Sequence, residues 1–302
     1  MNGTERKDVV GVIGVGVMGG GMAANLLDKG FDVVVHDVDP AKRERFAQLG
    51  ARIADNPAGV ARLAATTICM VETTAQAEAV ILGSGGIVDG AASGDTVLCM
   101  STIDPNTAKA MHDRLAEKGI AMLDAPVSGG EARAVSGELS VIAGGDAETL
   151  EAIRPILDAF ASRVFHMGPA GQGLAMKLVN NMLVQVGGVL AAEAMVLGAK
   201  AGLDPQAMID VVRESTGASV AFEMRAPRYV SGDFAPGGTI DITLKDQDLQ
   251  TAFARSLGVP LFLANLTVQI YEMARAEGLA REDSSALVKV YERMAGVRLG
   301  PR

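Results

Sequence analysis

Short apolar runs alternate with helical periodicity over the first part of the chain. Residues 9–14 form an apolar run that ends at glycine, residues 18–29 have a helical pattern, and residues 31–36 form a second run rich in β-branched side chains. Apolar runs of this length, bounded by glycine or polar residues, indicate buried strands. A strand, a helix and a strand in this order predict a βαβ unit with parallel strands.

The alternation continues to about residue 167. The sequence predicts further strands at residues 67–71, 96–100, 120–124, 139–143 and 164–166, and helices at residues 40–49, 75–82, 105–117 and 147–160. Strands that alternate with helices predict an α/β domain of the Rossmann type, with a doubly wound and largely parallel sheet.

The pattern changes after about residue 168, because strand signals disappear. Helices are predicted at residues 174–202, 205–215, 220–231, 240–257, 261–277 and 284–295. The prediction is therefore an N-terminal Rossmann domain at residues 1–167 and an all-helical C-terminal domain at residues 168–302; the residues discussed below assign substrate binding and oligomerisation to the second. At 302 residues the chain has the length of two domains.

Residues 14–19 read G-V-G-V-M-G and follow a predicted strand directly. In this context the first glycine permits a tight turn, the second lets a pyrophosphate approach the backbone, and the third allows close packing of helix and strand. The N–H groups at the start of the helix attract the anion. The predicted cofactor-binding residues of this loop are Gly14, Gly16, Val17, Met18 and Gly19.

Asp37 ends the second predicted strand, 18 residues after Gly19. A carboxylate at that place can accept hydrogen bonds from the adenosine ribose hydroxyls and would repel the 2′-phosphate of NADP. The predicted cofactor is therefore NAD. Lys42 and Arg43 lie one turn into the next helix and could weaken this preference, although such side chains are more often solvated.

Composition narrows the classes of function. The chain has a net charge of −9 and no cluster of Lys or Arg, which argues against a nucleic-acid ligand. Its three histidines and two cysteines are too scattered for a zinc site, so no metal is predicted. Cys69 and Cys99 lie in apolar runs, as reduced core thiols do, and neither a signal peptide nor a membrane span is evident. We expect a soluble, cytoplasmic protein.

The helix predicted at residues 174–202 would be about 43 Å long at 1.5 Å per residue, and it is apolar on nearly all sides. Lys177, Asn180 and Asn181 are spaced i, i+3 and i+4, which places them on one face. They could hold a small polar ligand, and a desolvated lysine could exchange a proton with a substrate hydroxyl near neutral pH. From the helix alone, a lysine that extends to the surface beside two structural asparagines is an equal alternative.

Four separated motifs occur in order along the chain. They are G-V-I-G-V-G-V-M-G at residues 11–19, D-A-P-V-S-G-G at 124–130, G-Q-G at 171–173 with K-L-V-N-N at 177–181, and K-D at 245–246. In this combination the chain resembles the β-hydroxyacid dehydrogenase family, which includes 3-hydroxyisobutyrate, threonate and 2-hydroxymethylglutarate dehydrogenases and tartronate semialdehyde reductase.

The resemblance implies a role for individual residues. Lys177 would be the general acid/base, and Asn181 would hold the substrate beside it. The turn formed by Ser128, Gly129 and Gly130 would bind the substrate carboxylate through exposed N–H groups. Thr102, next to Ser101, would contact the nicotinamide end of NAD, and Lys245 would close over the cofactor from the helical domain.

The resemblance also bears on the substrate, a small anionic hydroxyacid. Arg133 stands where many relatives have glycine, and here the chain is similar to threonate dehydrogenases, as it is at Phe222, Glu223 and Arg225. A threonate-like acid is the expected substrate, with 3-hydroxyisobutyrate or 2-hydroxymethylglutarate as alternatives. A non-catalytic NAD sensor and an imine reductase are rival interpretations, against which the retained Lys177 argues. The apolar C-terminal helices favour a homodimer or homotetramer.

Overall fold

The computed structural model describes residues 9–301. By its internal contacts the chain divides between Lys177 and Leu178 into two compact units. Each unit is built differently, and each is described by itself.

The first unit contains a six-stranded parallel sheet. Its order is β3-β2-β1-β4-β5-β6, and every neighbouring pair is parallel. This order, in which the strand sequence reverses between β1 and β4, is that of a Rossmann fold. The strands are β1 (Val9–Ile13), β2 (Asp32–His36), β3 (Arg52–Ile53), β4 (Thr66–Cys69), β5 (Thr96–Cys99) and β6 (Ala121–Asp124).

Helices flank this sheet, and a smaller sheet continues from it. The smaller sheet has the order β7-β8-β9, with β7 (Val127–Ser128), β8 (Leu139–Ala143) and β9 (Ala161–His166). The helices are α1 (Val17–Asp28), α2 (Pro40–Gln48), α3 (Pro57–Leu63), α4 (Thr74–Leu82), α5 (Pro105–Ala116), α6 (Gly130–Ser136), α7 (Ala147–Ala152) and α8 (Arg154–Leu157), with a 3₁₀ turn at Ile87–Asp89.

Side chains of β1 alternate between two hydrophobic cores. Val10 and Val12 belong to one core, and Val9 and Ile13 belong to the other. Successive residues of a strand point to opposite faces, so both faces of the sheet are covered. This arrangement confirms the predicted doubly wound α/β domain.

The second unit is helical. From Leu178 to residue 301, the only strand-like pairing is a single bridge between Thr239 and Asp283. Its helices are most of α9 (Gln172–Lys200), then α10 (Pro205–Arg213), α11 (Val220–Ser231), α12 (Ile240–Ser256), α13 (Phe262–Ala276) and α14 (Val288–Ala295), with a 3₁₀ turn at Ser284–Leu287. The predicted all-helical C-terminal region is confirmed.

Helix α9 is long and apolar enough to cross a membrane, by length and composition only. Of its most apolar stretch of 18 residues, 44% is buried inside the protein, where Ala192 and Met195 belong to the core of the second unit. A core helix passes the same test, so this property is weak evidence for a membrane span.

Several elements differ from the sequence prediction. The helix predicted at residues 147–160 is two helices, because Pro155 lies at the start of α8 and cannot donate the hydrogen bond that would continue α7. The short elements β3, α3, β7 and α6 were not predicted. Of these, α6 begins at Gly130, within the glycine turn expected at residues 128–130.

Candidate active site

The glycine loop after β1 has the geometry that its sequence predicts. Gly14 has a φ of +87°, and a Cβ atom there would lie 2.1 Å from the Met70 carbonyl oxygen. A Cβ atom at Gly19 would lie 2.0 Å from the Gly14 carbonyl oxygen, whereas one at Gly16 would meet nothing within 4 Å. Close packing thus requires glycine at positions 14 and 19, whereas Gly16 leaves open space beside the backbone.

That open space adjoins the start of α1, where Val17 and Met18 form the first turn. Gly16 is the N-cap residue and has no side chain to accept a hydrogen bond from the first N–H groups. An uncapped helix N-terminus behind an open glycine loop fits the pyrophosphate of a dinucleotide, because both the N–H groups and the helix dipole favour an anion.

Asp37 is buried directly after β2 and is fixed to this loop. The Val15 N–H donates to its Oδ2 at 2.9 Å, and the Asp39 N–H donates to its Oδ1 at 2.9 Å. The half-exposed Lys42 ammonium lies 3.9 Å from Oδ1. The structure therefore brings the predicted pyrophosphate loop and the predicted ribose ligand together.

The loops after β4 and β5 are also joined. The Val71 N–H donates to Ser101 Oγ at 2.8 Å, and Ser101 is fully buried. Thr102 follows it at the carboxyl end of β5 and is partly exposed. In open parallel sheets ligands bind outside the carboxyl ends of the strands, near the reversal of strand order. Thr102 lies at this edge of the sheet, one strand away from the reversal between β1 and β4.

Cys69 and Cys99 are directly opposite each other on β4 and β5, and both are free and buried. Burial raises the pKa of the Cys99 thiol to about 12 and, with the neighbouring Cys99, raises that of Cys69 well above its usual value. Both thiols stay protonated at neutral pH, so they are packing groups and not nucleophiles.

The D-A-P-V-S-G-G motif runs from the end of β6 through β7 to the start of α6, and it bends at its two glycines. Gly129 and Gly130 have φ values of +137° and +69°, which L side chains rarely adopt. A Cβ atom at Gly129 would lie 2.8 Å from Arg133 Cδ, so the Arg133 side chain packs directly over this glycine. Arg133 is exposed and has no ion pair within residues 9–301.

Lys177 lies in the second turn of α9 and is only 8% exposed. A lysine this buried is uncommon, since its charge is costly to desolvate. Asn181 follows one turn later on the same helix.

Asn181 and Lys245 share a partner in the second unit. The Asn181 side-chain amide donates to Asp246 Oδ2 at 2.8 Å, and the Lys245 ammonium lies 3.0 Å from Asp246 Oδ1. One turn along both helices, Gln250 donates to Gln185 at 2.8 Å. We call these two pairs the polar ladder of α9 and α12.

Sequence reasoning identified Asn181 and Lys245 but assigned no role to Asp246 and missed Gln250. The only signal was the matching i, i+4 spacing of polar residues on two predicted helices. In the described part of the chain, no three His, Cys, Asp or Glu side chains come close enough together to hold a metal ion.

Comparisons with known proteins agree with this geometry. Residues 9–168 match the family profile described as the NAD binding domain of 6-phosphogluconate dehydrogenase. Residues 171–291 match the profile described as the NAD-binding of NADP-dependent 3-hydroxyisobutyrate dehydrogenase. Both halves of the chain are thus covered by profiles of NAD-binding dehydrogenases.

Similar whole proteins are also dehydrogenases. The chain is 39% identical to the L-threonate dehydrogenase of Cupriavidus necator, over 93% of this chain and 95% of that protein. It is 37% identical to the 2-(hydroxymethyl)glutarate dehydrogenase of Eubacterium barkeri, over 97% and 98%. A solved structure of 3-hydroxyisobutyrate dehydrogenase from Salmonella typhimurium has a TM-score of 0.82 and 33% identity, over 93% and 99%.

Fold, glycine loop and matched profiles together define an NAD-binding oxidoreductase that acts on the CH–OH group of hydroxyacids. The chain belongs to the 3-hydroxyisobutyrate dehydrogenase-like family of β-hydroxyacid dehydrogenases. The predicted family, enzyme class and NAD-binding domain are confirmed.

Proposed function

We propose that the protein oxidises a small, threonate-like polyhydroxy acid with NAD, and that Lys177 is the general acid/base. When bound, NAD supplies the acceptor for the hydride that leaves the carbinol carbon. Lys177 Nζ takes the hydroxyl proton as the carbonyl forms, and the reverse reduction uses the same groups. The observation that carries this proposal is a buried lysine in the second turn of α9, within a family of hydroxyacid dehydrogenases.

The remaining roles follow the motifs. We assign the substrate carboxylate to Ser128, Gly129 and Gly130, whose glycines adopt the left-handed conformations of a turn that exposes N–H groups. Asn181 is the second substrate-binding residue, since its amide is oriented by Asp246. Thr102 and Lys245 are proposed to contact the cofactor.

We propose that NAD is preferred over NADP because Asp37 is held in place by two backbone N–H groups. A carboxylate fixed in this way cannot rotate away from a 2′-phosphate. Its remaining lone pairs can accept hydrogen bonds from the ribose hydroxyls. Lys42 neutralises it only from 3.9 Å, on an exposed side chain.

Replacing Asp37 by Ala should raise the KM for NAD by about 10-fold to 100-fold, because hydrogen bonds to a charged group contribute about 1.5–3 kcal/mol. The KM for NADP should stay the same or fall, since a repulsive charge is removed. Asp39→Ala is the matched control, because Asp39 caps α2 through the Ala41 N–H. Steady-state kinetics with both cofactors make the comparison. Equal changes for NAD and NADP would show that Asp37 is not the ribose ligand.

The preference for a polyhydroxy acid rests on Arg133. Its stem packs over Gly129 of the proposed carboxylate turn, and its guanidinium has no ion-pair partner within residues 9–301. A free guanidinium at this place can donate to hydroxyl or carboxylate oxygens of a longer substrate. A similar relative acts, by its name, on L-threonate, and another on 2-(hydroxymethyl)glutarate.

Initial rates of NADH formation with L-threonate, 2-(hydroxymethyl)glutarate and 3-hydroxyisobutyrate test the substrate. We expect L-threonate to have the highest kcat/KM. Arg133→Ala should raise the KM for L-threonate about 10-fold and leave that for 3-hydroxyisobutyrate within about twofold. The exposed Arg114 of α5 provides the control variant Arg114→Ala. A preference for 3-hydroxyisobutyrate in the unmodified protein would refute the proposed role of Arg133.

We further propose a homodimer or homotetramer. On α9, Leu183, Leu190 and Leu197 recur at intervals of seven residues and are 65%, 64% and 73% exposed. A seven-residue apolar repeat forms one continuous stripe on a helix, which a second copy could cover. Light scattering coupled to gel filtration should give a multiple of the 31.1 kDa chain mass at micromolar concentration. A monomeric mass would overturn the assembly.

We place the protein in the cytoplasm. The free, buried thiols of Cys69 and Cys99 suit a reducing compartment.

A further inference from the structure

One buried carboxylate in the first unit is held by backbone N–H groups. Asp124, at the carboxyl end of β6, is 2% exposed. Burial raises the pKa of this carboxyl, and hydrogen bonds from the Gly171 and Leu174 N–H groups oppose that rise. A carboxylate in such a place must be stabilised by dipoles.

The dipoles are those of backbone N–H groups at the start of α9. The Gly171 N–H donates to Asp124 Oδ1 at 2.7 Å, and the Leu174 N–H donates to Oδ2 at 2.8 Å. Gly171 directly precedes the helix and has no side chain that could cap it. Asp124 therefore caps a 29-residue helix from another element, and both of its oxygens are used.

The backbone of Asp124 is equally restrained. Asp124 and Gly144 exchange two hydrogen bonds, at 3.1 and 2.8 Å, which join the two sheets. A Cβ atom at Gly173 would lie 2.6 Å from the Asp124 carbonyl oxygen and 2.4 Å from that of Ile142. The first turn of α9 thus packs directly on the backbones of β6 and β8.

Two parts of the proposed substrate site follow this junction closely along the chain. Ser128 comes four residues after Asp124 along the chain, and Lys177 comes three residues, or nearly one turn, after Leu174. We propose that Asp124 is a positioning residue for catalysis: its carboxylate fixes the first turn of α9 against β6, and so sets where Lys177 lies relative to the carboxylate turn. This inference rests on the proposed role of Lys177.

Asp124→Asn is the main test. An amide keeps one acceptor oxygen and turns an NH₂ group toward one of the two N–H donors, so the first turn of α9 must shift. Misplacement of a catalytic group by about 1 Å can cost about 100-fold in rate. We expect kcat to fall about 10-fold to 100-fold, with the KM for substrate and the Kd for NAD within about threefold.

Asp146→Asn is the matched control. Asp146 also caps a helix, accepting from the Thr149 N–H at 2.7 Å, but that helix is α7 and carries no proposed site residue. Its kcat should stay within about twofold of the unmodified value. All rates are measured well below each melting temperature and divided by the concentration of NAD-binding sites.

A second readout separates positioning from mere stabilisation. If Lys177 is misplaced, proton transfer slows, and the solvent deuterium isotope effect on kcat should increase in Asp124→Asn but not in Asp146→Asn. Hydrogen exchange at the Gly171 and Leu174 amides should accelerate as well. If Asp124→Asn does not fold, Asp124→Ser, whose hydroxyl can accept one of the two bonds, is measured instead, with the same expectations.

A kcat per NAD-binding site that equals the unmodified value would overturn the inference. So would a loss matched by Asp146→Asn, or an unchanged isotope effect. Lys177→Ala distinguishes this failure from failure of the proposed function. If Lys177→Ala abolishes turnover while Asp124→Asn preserves it, only the positioning role of Asp124 is wrong.

Discussion

Replacing Lys177 by Ala is expected to lower kcat by about 10²–10⁴-fold and to leave the Kd for NAD unchanged. General acid/base catalysis contributes an effect of this size. Lys177→Arg should be almost as inactive, since a guanidinium keeps the positive charge but cannot take up a proton at neutral pH.

Lys200 provides the control, because it lies at the end of the same helix and donates to the Ala295 carbonyl oxygen. Lys200→Ala should retain the unmodified kcat. Stopped-flow and steady-state rates, with NAD affinity from isothermal titration calorimetry, complete the experiment. Turnover of Lys177→Ala within threefold of the unmodified enzyme would remove Lys177 from the mechanism. Absence of turnover with every hydroxyacid in the unmodified protein would instead favour a non-catalytic NAD-binding role.

Replacing Asp283 by Ala should lower the free energy of unfolding by about 3–5 kcal/mol, the usual cost of breaking a buried ion pair. Asp283 is buried and accepts from Arg225 at 3.0 Å and from the Ser285 N–H at 2.9 Å, while Arg228 lies 3.2 Å away. Removing the carboxylate would leave the buried Arg225 without its counter-charge. Urea unfolding measures the loss, and Asp233→Ala, at an exposed aspartate that accepts from the Ala235 N–H, is the control.

The same pair predicts a dependence on pH. Burial alone would raise the pKa of Asp283, but hydrogen bonds from Ser285 and the charge of Arg225 outweigh burial and lower it. A carboxyl whose pKa is lower in the folded state contributes its full stability above the unfolded pKa of about 3.9. That contribution is lost as pH falls below this value toward the folded pKa. The stability gap between the unmodified protein and Asp283→Asn should therefore be constant from pH 5 to 7 and shrink below about pH 4.

This network also changes the interpretation of Arg225. In the sequence, Arg225 is one of the features shared with threonate dehydrogenases. In the structure its guanidinium is occupied by Asp283 and by Ser285 Oγ at 3.1 Å. Arg225 therefore stabilises the helical unit, and the proposed preference for a polyhydroxy acid rests on Arg133.

Local patterns predicted those parts of the fold that local chemistry determines. The loop at Gly14 and Gly19 was predictable because a Cβ atom at either place collides with backbone. In contrast, β3 consists of two exposed residues, Arg52 and Ile53, and gives no apolar run. Helix α6 was missed because Gly129 and Gly130 signal a turn, which is real but is followed at once by helix.

The candidate site was also predicted only where local sequence determines it. Asp37 follows a strand at a distance from the glycine loop that is typical of dinucleotide-binding domains, so its position could be inferred. The pairs Asn181–Asp246 and Gln185–Gln250 each join residues 65 positions apart. No local periodicity encodes which helices will pack together, so the role of Asp246 required the structure.

The polar ladder also restricts how α9 and α12 can slide along each other. Displacing α12 by one turn would set Gln250 opposite Asn181, and would leave Gln185 and Asp246 without their present partners on the opposite helix. Sliding would therefore break both matched side-chain hydrogen bonds between the two helices at once, and a buried polar group left without a partner costs free energy. A displacement of α12 by less than one turn would bring neither pair of side chains into hydrogen-bond distance. The two helices must consequently move as a single rigid piece, with Asn181 and Lys245 carried together in any motion of the helical unit.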